Sequence, residues 1–206
     1  MTTTLKLLRF LGPTLLFFGS FVVLPPLLIS YFNNILDSNM LWIYFSCIAY
    51  SLIILLTLRR KKFSYTPRDG FIITFLTWVF ISVLASLPFL NNNLTFYDAL
   101  FEAVSGLTTT GSTVIKDLSL LPDHVLLYRQ LLQWSGGVGL VIVVLAIIPA
   151  VSGGMKVLQA ETSGFADKSF SPRLRETARS LLKFYILITL VCAFSYWIAG
   201  MTWFEA

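Results

Sequence analysis

Five long apolar runs constrain this chain more than any other feature of its sequence. Each is close to the roughly 20 residues that a helix needs to cross the hydrocarbon core of a bilayer. The runs are Phe10–Phe32, Leu41–Leu58, Phe71–Leu90, Val125–Ile148 and Leu181–Met201. Only 12% of the 206 residues are charged, whereas a soluble domain carries about 25%. We therefore expect an all-α, multi-pass membrane protein, with Pro25 and Pro26 kinking the first span near its end.

Lysine and arginine are distributed unevenly among the connections between these runs. Two precede the first run, five follow the second and six follow the fourth, so that 13 of the 15 lie on one side of the membrane. The positive-inside rule assigns that side, and with it the N-terminus, to the cytoplasm. The net charge of +5 is thereby explained by topology. The lipid bilayer is the expected partner, and nucleic acid is not.

The segment Thr95–Thr113 is too short to cross a membrane and too apolar for an ordinary surface loop. Thr95 followed by Asp98 is similar to a capping box, with Asp in place of Glu or Gln. Apolar residues then recur at helical spacing, and Gly106 is a typical position for a helix to end. This pattern predicts a re-entrant pore helix of about three turns, which enters the membrane and ends there.

The residues after this short helix have the composition of an ion filter. They are uncharged and rich in small hydroxyl side chains, and non-helical backbone at membrane depth must be buried in protein or line a water-filled path. A filter replaces the water around a cation with backbone carbonyls, and glycine permits the dihedral angles that this requires. We predict that Thr109, Thr110, Gly111 and Ser112 form such a filter. A Thr/Ser turn between two helices is the alternative.

Charged side chains near this string have both a structural and a functional interpretation. Arg129 either extends along the helix to the membrane interface, or pairs with Asp98 or Glu102 and braces the filter. A carboxylate such as Glu102 is costly at membrane depth unless it is paired or hydrogen-bonded. Together with Thr108 and Thr113, which flank the string, these three residues are the candidates for filter support.

The fourth apolar run contains a cluster of small residues, Ser135, Gly136, Gly137 and Gly139. Ser135 and Gly139 form a small-xxx-small pair, which lets membrane helices approach closely. Helix packing is therefore one interpretation of the three glycines. A flexible point for gating is the other.

Several segments resemble the Trk/Ktr/HKT potassium-transporter superfamily and, within it, the bacterial TrkH/TrkG membrane subunit. They are FYDALFEAVSGLTTTGST, LLYRQLLQWSGGVGLVIVVLAIIP, QAETSG and SPRLRETARSLL. The resemblance implies four membrane–pore–membrane repeats in a complete chain, each with one filter strand centred on a glycine, which Gly111 matches. It also implies potassium as the transported ion and a location in the bacterial inner membrane. A homodimer in the full-length form and a cytosolic nucleotide-binding regulatory subunit of the TrkA type are the implied protein partners.

The spans and the resemblance together divide the chain into four parts. Residues 1–66 would form two leading spans, 67–151 the first membrane–pore–membrane repeat, 152–180 a cytoplasmic connection, and 181–206 the first span and the start of the pore helix of a second repeat. The last assignment rests on Thr202–Ala206, which repeats the pattern Thr, aromatic, aromatic, acidic, Ala of Thr95–Ala99 after 107 residues. We therefore expect an N-terminal portion whose single filter strand leaves the ligand shell of an ion incomplete.

Three functions are compatible with these features. Potassium uptake through a backbone-carbonyl filter is the first, and a non-conducting membrane fragment or interaction partner is the alternative. For an enzyme, the polar candidates are Asp98, Glu102, His124 and Arg129, which show no nucleophile–base spacing. Because His124 is the only histidine, a His-Glu-x-x-His zinc site is excluded. We do not expect an enzyme.

Overall fold

The computed structural model describes residues 3–58, 67–92, 94–151 and 170–206. Within these ranges the chain forms helices and connections, without a β-strand. The elements are α1 (Thr3–Phe17), a π-helical segment (Phe18–Val23), α2 (Leu24–Phe32), α3 (Ser38–Leu58), α4 (Pro67–Ser86), a 3-10 segment (Leu87–Asn92), α5 (Phe96–Leu107), a 3-10 turn (Leu118–Leu120), α6 (Asp123–Val151) and α7 (Phe170–Ile198).

Four helical stretches among the described residues are long and apolar enough to cross a membrane. They are Thr4–Phe32, Ser38–Leu58, Arg68–Leu90 and Glu176–Ile198. These stretches confirm the all-α membrane class and coincide with four of the five predicted spans. The remaining predicted span, Val125–Ile148, lies within α6, whose side chains are described only as far as Gly139. The crossing of the membrane by α6 stays a prediction.

The first span is not one continuous α-helix. Phe18–Val23 forms a π-helical segment, and α2 begins directly after it with Pro25 and Pro26 in its first turn. Each proline lacks a backbone N–H, and its ring crowds the carbonyl of the preceding turn. The irregularity that the sequence predicts at the two prolines therefore lies in the turn before them.

Glycines of α1 and of the π-helical segment that follows it bring the first span close to α3. A Cβ atom added to Gly12 would lie 3.0 Å from Cγ2 of Ile54, and one added to Gly19 would lie 3.1 Å from Cβ of Cys47. Ser51 Oγ donates a hydrogen bond of 2.6 Å to the carbonyl of Gly12. Small residues and a hydroxyl hydrogen bond between helices are typical of packing inside membranes.

The contacts divide the chain into two compact units, residues 1–137 and 138–206. In the first unit α4 packs against α5, and each of the two helices contains a fully buried alanine, Ala85 in α4 and Ala99 in α5. The apolar core of this unit includes Phe18, Val22, Met40, Cys47, Ala85, Phe89, Ala99, Ala103, Val125, Tyr128 and Leu132. In the second unit the apolar stretch of α7 is not buried within the protein.

Helix α7 is longer than the last of the predicted spans. Helix α7 begins at Phe170, within the predicted connection 152–180 and before the predicted boundary at 181. Residues 152–169, which make up most of that connection, lie outside the described residues. The assignment of this segment to the cytoplasm stays a prediction.

The C-terminal Thr202–Ala206 repeats hydrogen bonds as well as the sequence pattern of Thr95–Ala99. Thr202 N and Oγ1 donate to Oε2 of Glu205 at 3.0 and 2.8 Å, and Glu205 N donates to Thr202 Oγ1 at 3.3 Å. Thr95 and Asp98 form the same three bonds at 3.3, 2.7 and 3.2 Å. The two hydrogen bonds from Thr202 lower the pKa of the Glu205 carboxyl, and the bond from the hydroxyl has the larger effect. Both segments are thus capping boxes.

A buried ion pair joins the first turn of α1 to the first turn of α4. Lys6 Nζ lies 2.7 Å from Oδ2 of Asp69, and each side chain is only 11% exposed. Asp69 also lies near the N-terminus of α4, where the helix dipole favours a negative charge. The pair therefore connects the N-terminal helix to a helix that begins more than 60 residues later.

We expect Lys6→Met to lower the free energy of unfolding by about 3 kcal/mol, because the removal of one partner of a buried ion pair is strongly destabilising. The double variant Lys6→Met/Asp69→Leu should recover most of this loss, since apolar side chains can replace a buried ion pair at little cost. Arg9→Met is the control, because Arg9 is half-buried and has no ion-pair partner among the described residues. Denaturant unfolding of the purified chain in detergent measures all three. Equal losses in the single and double variants would contradict this account.

Candidate functional site

The short helix α5 begins with a complete capping box. Its 12 residues correspond to about 18 Å, which is too short for a hydrocarbon core of about 30 Å. Thr95 accepts a hydrogen bond from the backbone of Asp98, and the Asp98 carboxylate accepts bonds from Thr95 in return. The cap that the sequence predicts is therefore present. The same bonds show that Asp98, one of the two possible partners of Arg129, serves the start of the helix instead.

The C-terminal end of α5 is a Schellman motif with threonine in the position that glycine usually occupies. Thr109 N donates to the carbonyl of Gly106, and Thr110 N donates to the carbonyl of Ser105, both at 2.9 Å. Thr109 has a φ of 58°, a conformation that is strained for a β-branched residue. The prediction that Gly106 ends the helix is wrong. Gly106 lies inside α5, where an added Cβ would be 3.1 Å from Cβ of Leu132.

The string after α5, Thr108–Gly111, is exposed and contains a second left-handed residue. Gly111 has a φ of 77°, so left-handed residues lie on both sides of Thr110. The carbonyl oxygens of Thr108, Thr109 and Thr110 accept no hydrogen bond within the described part of the chain. These three oxygens are therefore available to coordinate a cation.

A fully buried carboxylate lies behind the string. Glu102 Oε2 lies 2.9 Å from Nε of Arg129, and the Glu102 side chain is 0% exposed. Its other oxygen, Oε1, accepts hydrogen bonds from Thr113 Oγ1 at 2.5 Å and from Val114 N at 2.8 Å. Burial of the charge is compensated by this pairing and these hydrogen bonds. Glu102 therefore connects α5 to α6 and to the end of the string.

Arg129 and Ser105 hold the carbonyls of the second half of the string. Arg129 Nη2 donates to the carbonyl of Gly111 at 3.0 Å and approaches that of Ser112 at 3.4 Å. Ser105 Oγ donates to the Ser112 carbonyl at 2.6 Å. The carbonyls of Gly111 and Ser112, both predicted as filter residues, are thus bound by the protein itself. Sequence reasoning missed Ser105, although its spacing of three from Glu102 places both residues on one helix face.

The hydroxyl of Thr108 stabilises the start of the string. Thr108 Oγ1 donates to the carbonyl of Val104 at 2.8 Å and lies 2.8 Å from Oγ1 of Thr110. The Thr108 side chain thus binds both the last turn of α5 and the side chain of Thr110. This arrangement leaves the backbone oxygens of both residues unoccupied.

Among the glycines predicted for packing or gating, Gly136 has a specific contact. A Cβ added to Gly136 would lie 2.8 Å from the carbonyl carbon of Leu107 and 3.1 Å from its Cα, with the carbonyl oxygen nearer still. Only glycine fits at this distance from a backbone. Gly137 and Gly139 are half-buried, and a gating role for them stays a prediction.

The polar residues considered for an enzyme are not gathered into one site. His124 is buried at the start of α6, where its Nε2 lies 3.6 Å from Oδ2 of Asp37 in the connection between α2 and α3. Asp98 caps α5, whereas Glu102 and Arg129 neutralise each other. Each of these four side chains therefore has a structural partner in the described part of the chain.

The chain matches proteins of cation transport. A model of the TrkH family, described as cation transport protein, matches residues 37–205. The Trk system potassium uptake protein TrkH of Salmonella typhimurium is 37% identical over 203 residues, covering 96% of this chain and 42% of that protein. TrkH of Vibrio parahaemolyticus is 46% identical over 153 residues, covering 72% and 32%. TrkG of Escherichia coli K12 is 38% identical over 195 residues, covering 91% and 40%.

The fold is similar to that of a solved transporter. The crystal structure of the potassium transporter TrkH from Vibrio parahaemolyticus aligns with a TM-score of 0.79 and 33% identity, covering 98% of this chain and 41% of that chain. This chain therefore spans about two fifths of the length of these relatives. With a family match over most of its residues and four helices suited to a membrane, the chain belongs to the TrkH family of cation transport proteins.

Proposed function

We propose that this chain forms part of a potassium-uptake transporter of the bacterial inner membrane, to which it contributes one strand of the ion filter. The observation that carries the proposal is the exposed string Thr108–Gly111 lying on the buried pair of Glu102 and Arg129. The names of the relatives, which are potassium uptake proteins, support potassium as the ion. In this proposal the relatives' activity is carried over to the chain.

The unoccupied carbonyls of Thr108, Thr109 and Thr110 are the proposed ligands. Carbonyl dipoles can replace the hydration shell of a cation, and the C-terminal end of α5 adds the negative end of a helix dipole. Hydrogen bonds at both ends of the string keep the three oxygens in place. The filter would therefore be formed by the backbone, with potassium ions as its only ligand.

The charge balance of the site fits the passage of cations. Arg129 touches the carbonyl of Gly111, so its charge alone would oppose a cation next to the string. Glu102 offsets that charge at 2.9 Å and is itself shielded from solvent. The pair can therefore hold the strand without leaving a net charge beside the ion.

The other components of the proposed transporter are carried over from the family. A ring of carbonyls needs several strands, so the single strand of this chain would act within a complete set of pore repeats. The full-length form would be a homodimer with a cytosolic nucleotide-binding subunit of the TrkA type, and residues 152–180 are the candidate docking segment. The words "Trk system" in the relatives' names support a transporter of several components.

The proposed orientation is testable with reporter fusions. Because basic residues are concentrated on one side of the membrane, fusions after Lys62 and Arg175 should report the cytoplasm, and fusions after Asn92 and Lys116 should report the outside. A pair of reporters active on opposite sides of the membrane makes the assignment at each position. A cytoplasmic signal after Lys116 would contradict the re-entrant position of α5.

The proposed function is tested by rubidium uptake into potassium-starved cells that express a complete transporter whose first 206 residues are those of this chain. We expect uptake by this protein, and a loss of about tenfold or more in Glu102→Gln, because truncating one partner of a buried charge pair costs about 2–5 kcal/mol. The double variant Glu102→Gln/Arg129→Gln should regain part of the uptake, since no unbalanced charge remains. Lys116→Gln, at an exposed loop position, is the control.

No uptake by the unsubstituted transporter, at a normal protein level in the membrane, would refute the proposed function. Uptake at the parent rate in Glu102→Gln would refute the role of the ion pair alone. The isolated 206-residue chain should insert into the membrane and yet fail to support growth at low potassium, because one strand cannot surround an ion.

The backbone of Gly111 should determine which ion is accepted. Gly111→Ser should lower the ratio of rubidium to sodium uptake about fivefold or more, because a side chain at a positive φ is strained by about 1–3 kcal/mol. Crowding is not the cause, since an added Cβ would meet no atom within 4 Å. Ser112→Ala is the matched control, because Ser112 engages the scaffold through its carbonyl.

The ratio is measured in the same complete transporter and normalised to protein in the membrane. An unchanged ratio in Gly111→Ser, with only the protein level reduced, would mean that Gly111 is an ordinary turn residue. In that case residues 108–113 would not form the filter.

A further inference from the structure

One face of α6 contacts both ends of the proposed filter strand. Gly136 lies against the backbone of Leu107, the last residue of α5 before the strand. Arg129 lies seven residues earlier on the same helix and binds the carbonyl of Gly111, where the strand ends. Residues seven apart lie on the same face of an α-helix, two turns from each other. The strand is therefore held at its start and at its end by a single helix.

The contact at Gly136 leaves no space for a side chain. Its neighbour is the main chain of Leu107, which cannot rotate away as a flexible side chain could. The adjacent contact on the same face, between Leu132 and Gly106, is less tight, because an added Cβ at Gly106 would meet Leu132 Cβ at 3.1 Å. Of these two contacts between α6 and α5, the tighter one therefore lies directly beside the start of the strand.

We propose that Gly136 is a positioning residue for ion selectivity, an inference that rests on the proposed filter. The helix between Arg129 and Gly136 is about 10 Å long and fixes the distance between the two points that hold the strand. A side chain at Gly136 would displace Leu107, while Arg129 would still hold Gly111. The carbonyls of residues 108–110, which lie between those points, would then change direction.

A positioning role for Gly136 and a simple packing role predict different effects of a substitution on ion selectivity and on protein stability. Alanine is favoured over glycine within a helix, so a loss of selectivity in Gly136→Ala would come from the contact with Leu107. If Gly136 served only in packing, its substitution would lower the amount of folded protein and leave the choice of ion unchanged. A positioning residue changes the choice of ion in each molecule that reaches the membrane.

The test compares three glycine-to-alanine variants in the complete transporter that carries residues 1–206. Rubidium and sodium uptake are measured and normalised to protein in the membrane. We expect the rubidium-to-sodium ratio to fall about fivefold or more in Gly136→Ala, which corresponds to about 1 kcal/mol, and to fall less in Gly106→Ala. Gly70→Ala is the matched control and should leave the ratio unchanged, because an added Cβ there meets no atom within 4 Å.

If Gly136→Ala has the same rubidium-to-sodium uptake ratio as the unsubstituted transporter (the parent ratio), the inference is overturned. If Gly136→Ala is not recovered from the membrane, the milder Gly106→Ala decides: a reduced ratio supports the inference, and a parent ratio overturns it. Uptake by the unsubstituted transporter tests the proposed function separately. If the unsubstituted transporter is selective and the variants have the same uptake ratio, the role of Gly136 is refuted and the filter assignment is not affected.

Discussion

The buried ion pair between Glu102 and Arg129 is the interaction on which the candidate site depends. Either charge alone would be costly in its buried position, so each residue requires the other. Once paired, both side chains can still form other hydrogen bonds, and these hold the residues that follow α5. Glu102 accepts bonds from Thr113 and Val114, and Arg129 donates to the carbonyl of Gly111. A string with no regular secondary structure thereby acquires a defined path.

The pair can reach the string because α5 ends where it does. The Schellman motif places Thr109 in a left-handed conformation, and surrounding bonds must compensate strain of this kind. Those bonds are local to the helix end, whereas Arg129 and Gly136 belong to the following helix. In the proposed function this double attachment lets the backbone keep its carbonyls toward an ion without side-chain ligands.

The sequence predicted the features that local chemistry determines. Apolar runs identify spans because a bilayer cannot satisfy free backbone groups, and the spacing of Thr95 and Asp98 identifies a cap. The sequence alone does not show whether Asp98 or Glu102 is the partner of Arg129. They are four residues apart on one helix, and the choice follows from the capping bonds that occupy Asp98. Nor does threonine carry any signal for a left-handed residue, so the sequence does not predict the left-handed conformation of Thr109 and points to Gly106 as the end of the helix.

In the proposed function, backbone oxygens of this chain coordinate the transported ion. A crystal structure of a complete transporter that carries residues 1–206, with rubidium in place of potassium and its anomalous scattering recorded, would locate that ion. We expect a rubidium ion in contact with the carbonyl oxygens of Thr108, Thr109 or Thr110, while those of Gly111 and Ser112 remain bound to Arg129 and Ser105. Rubidium bound elsewhere in the protein, with none at these three oxygens, would contradict this expectation.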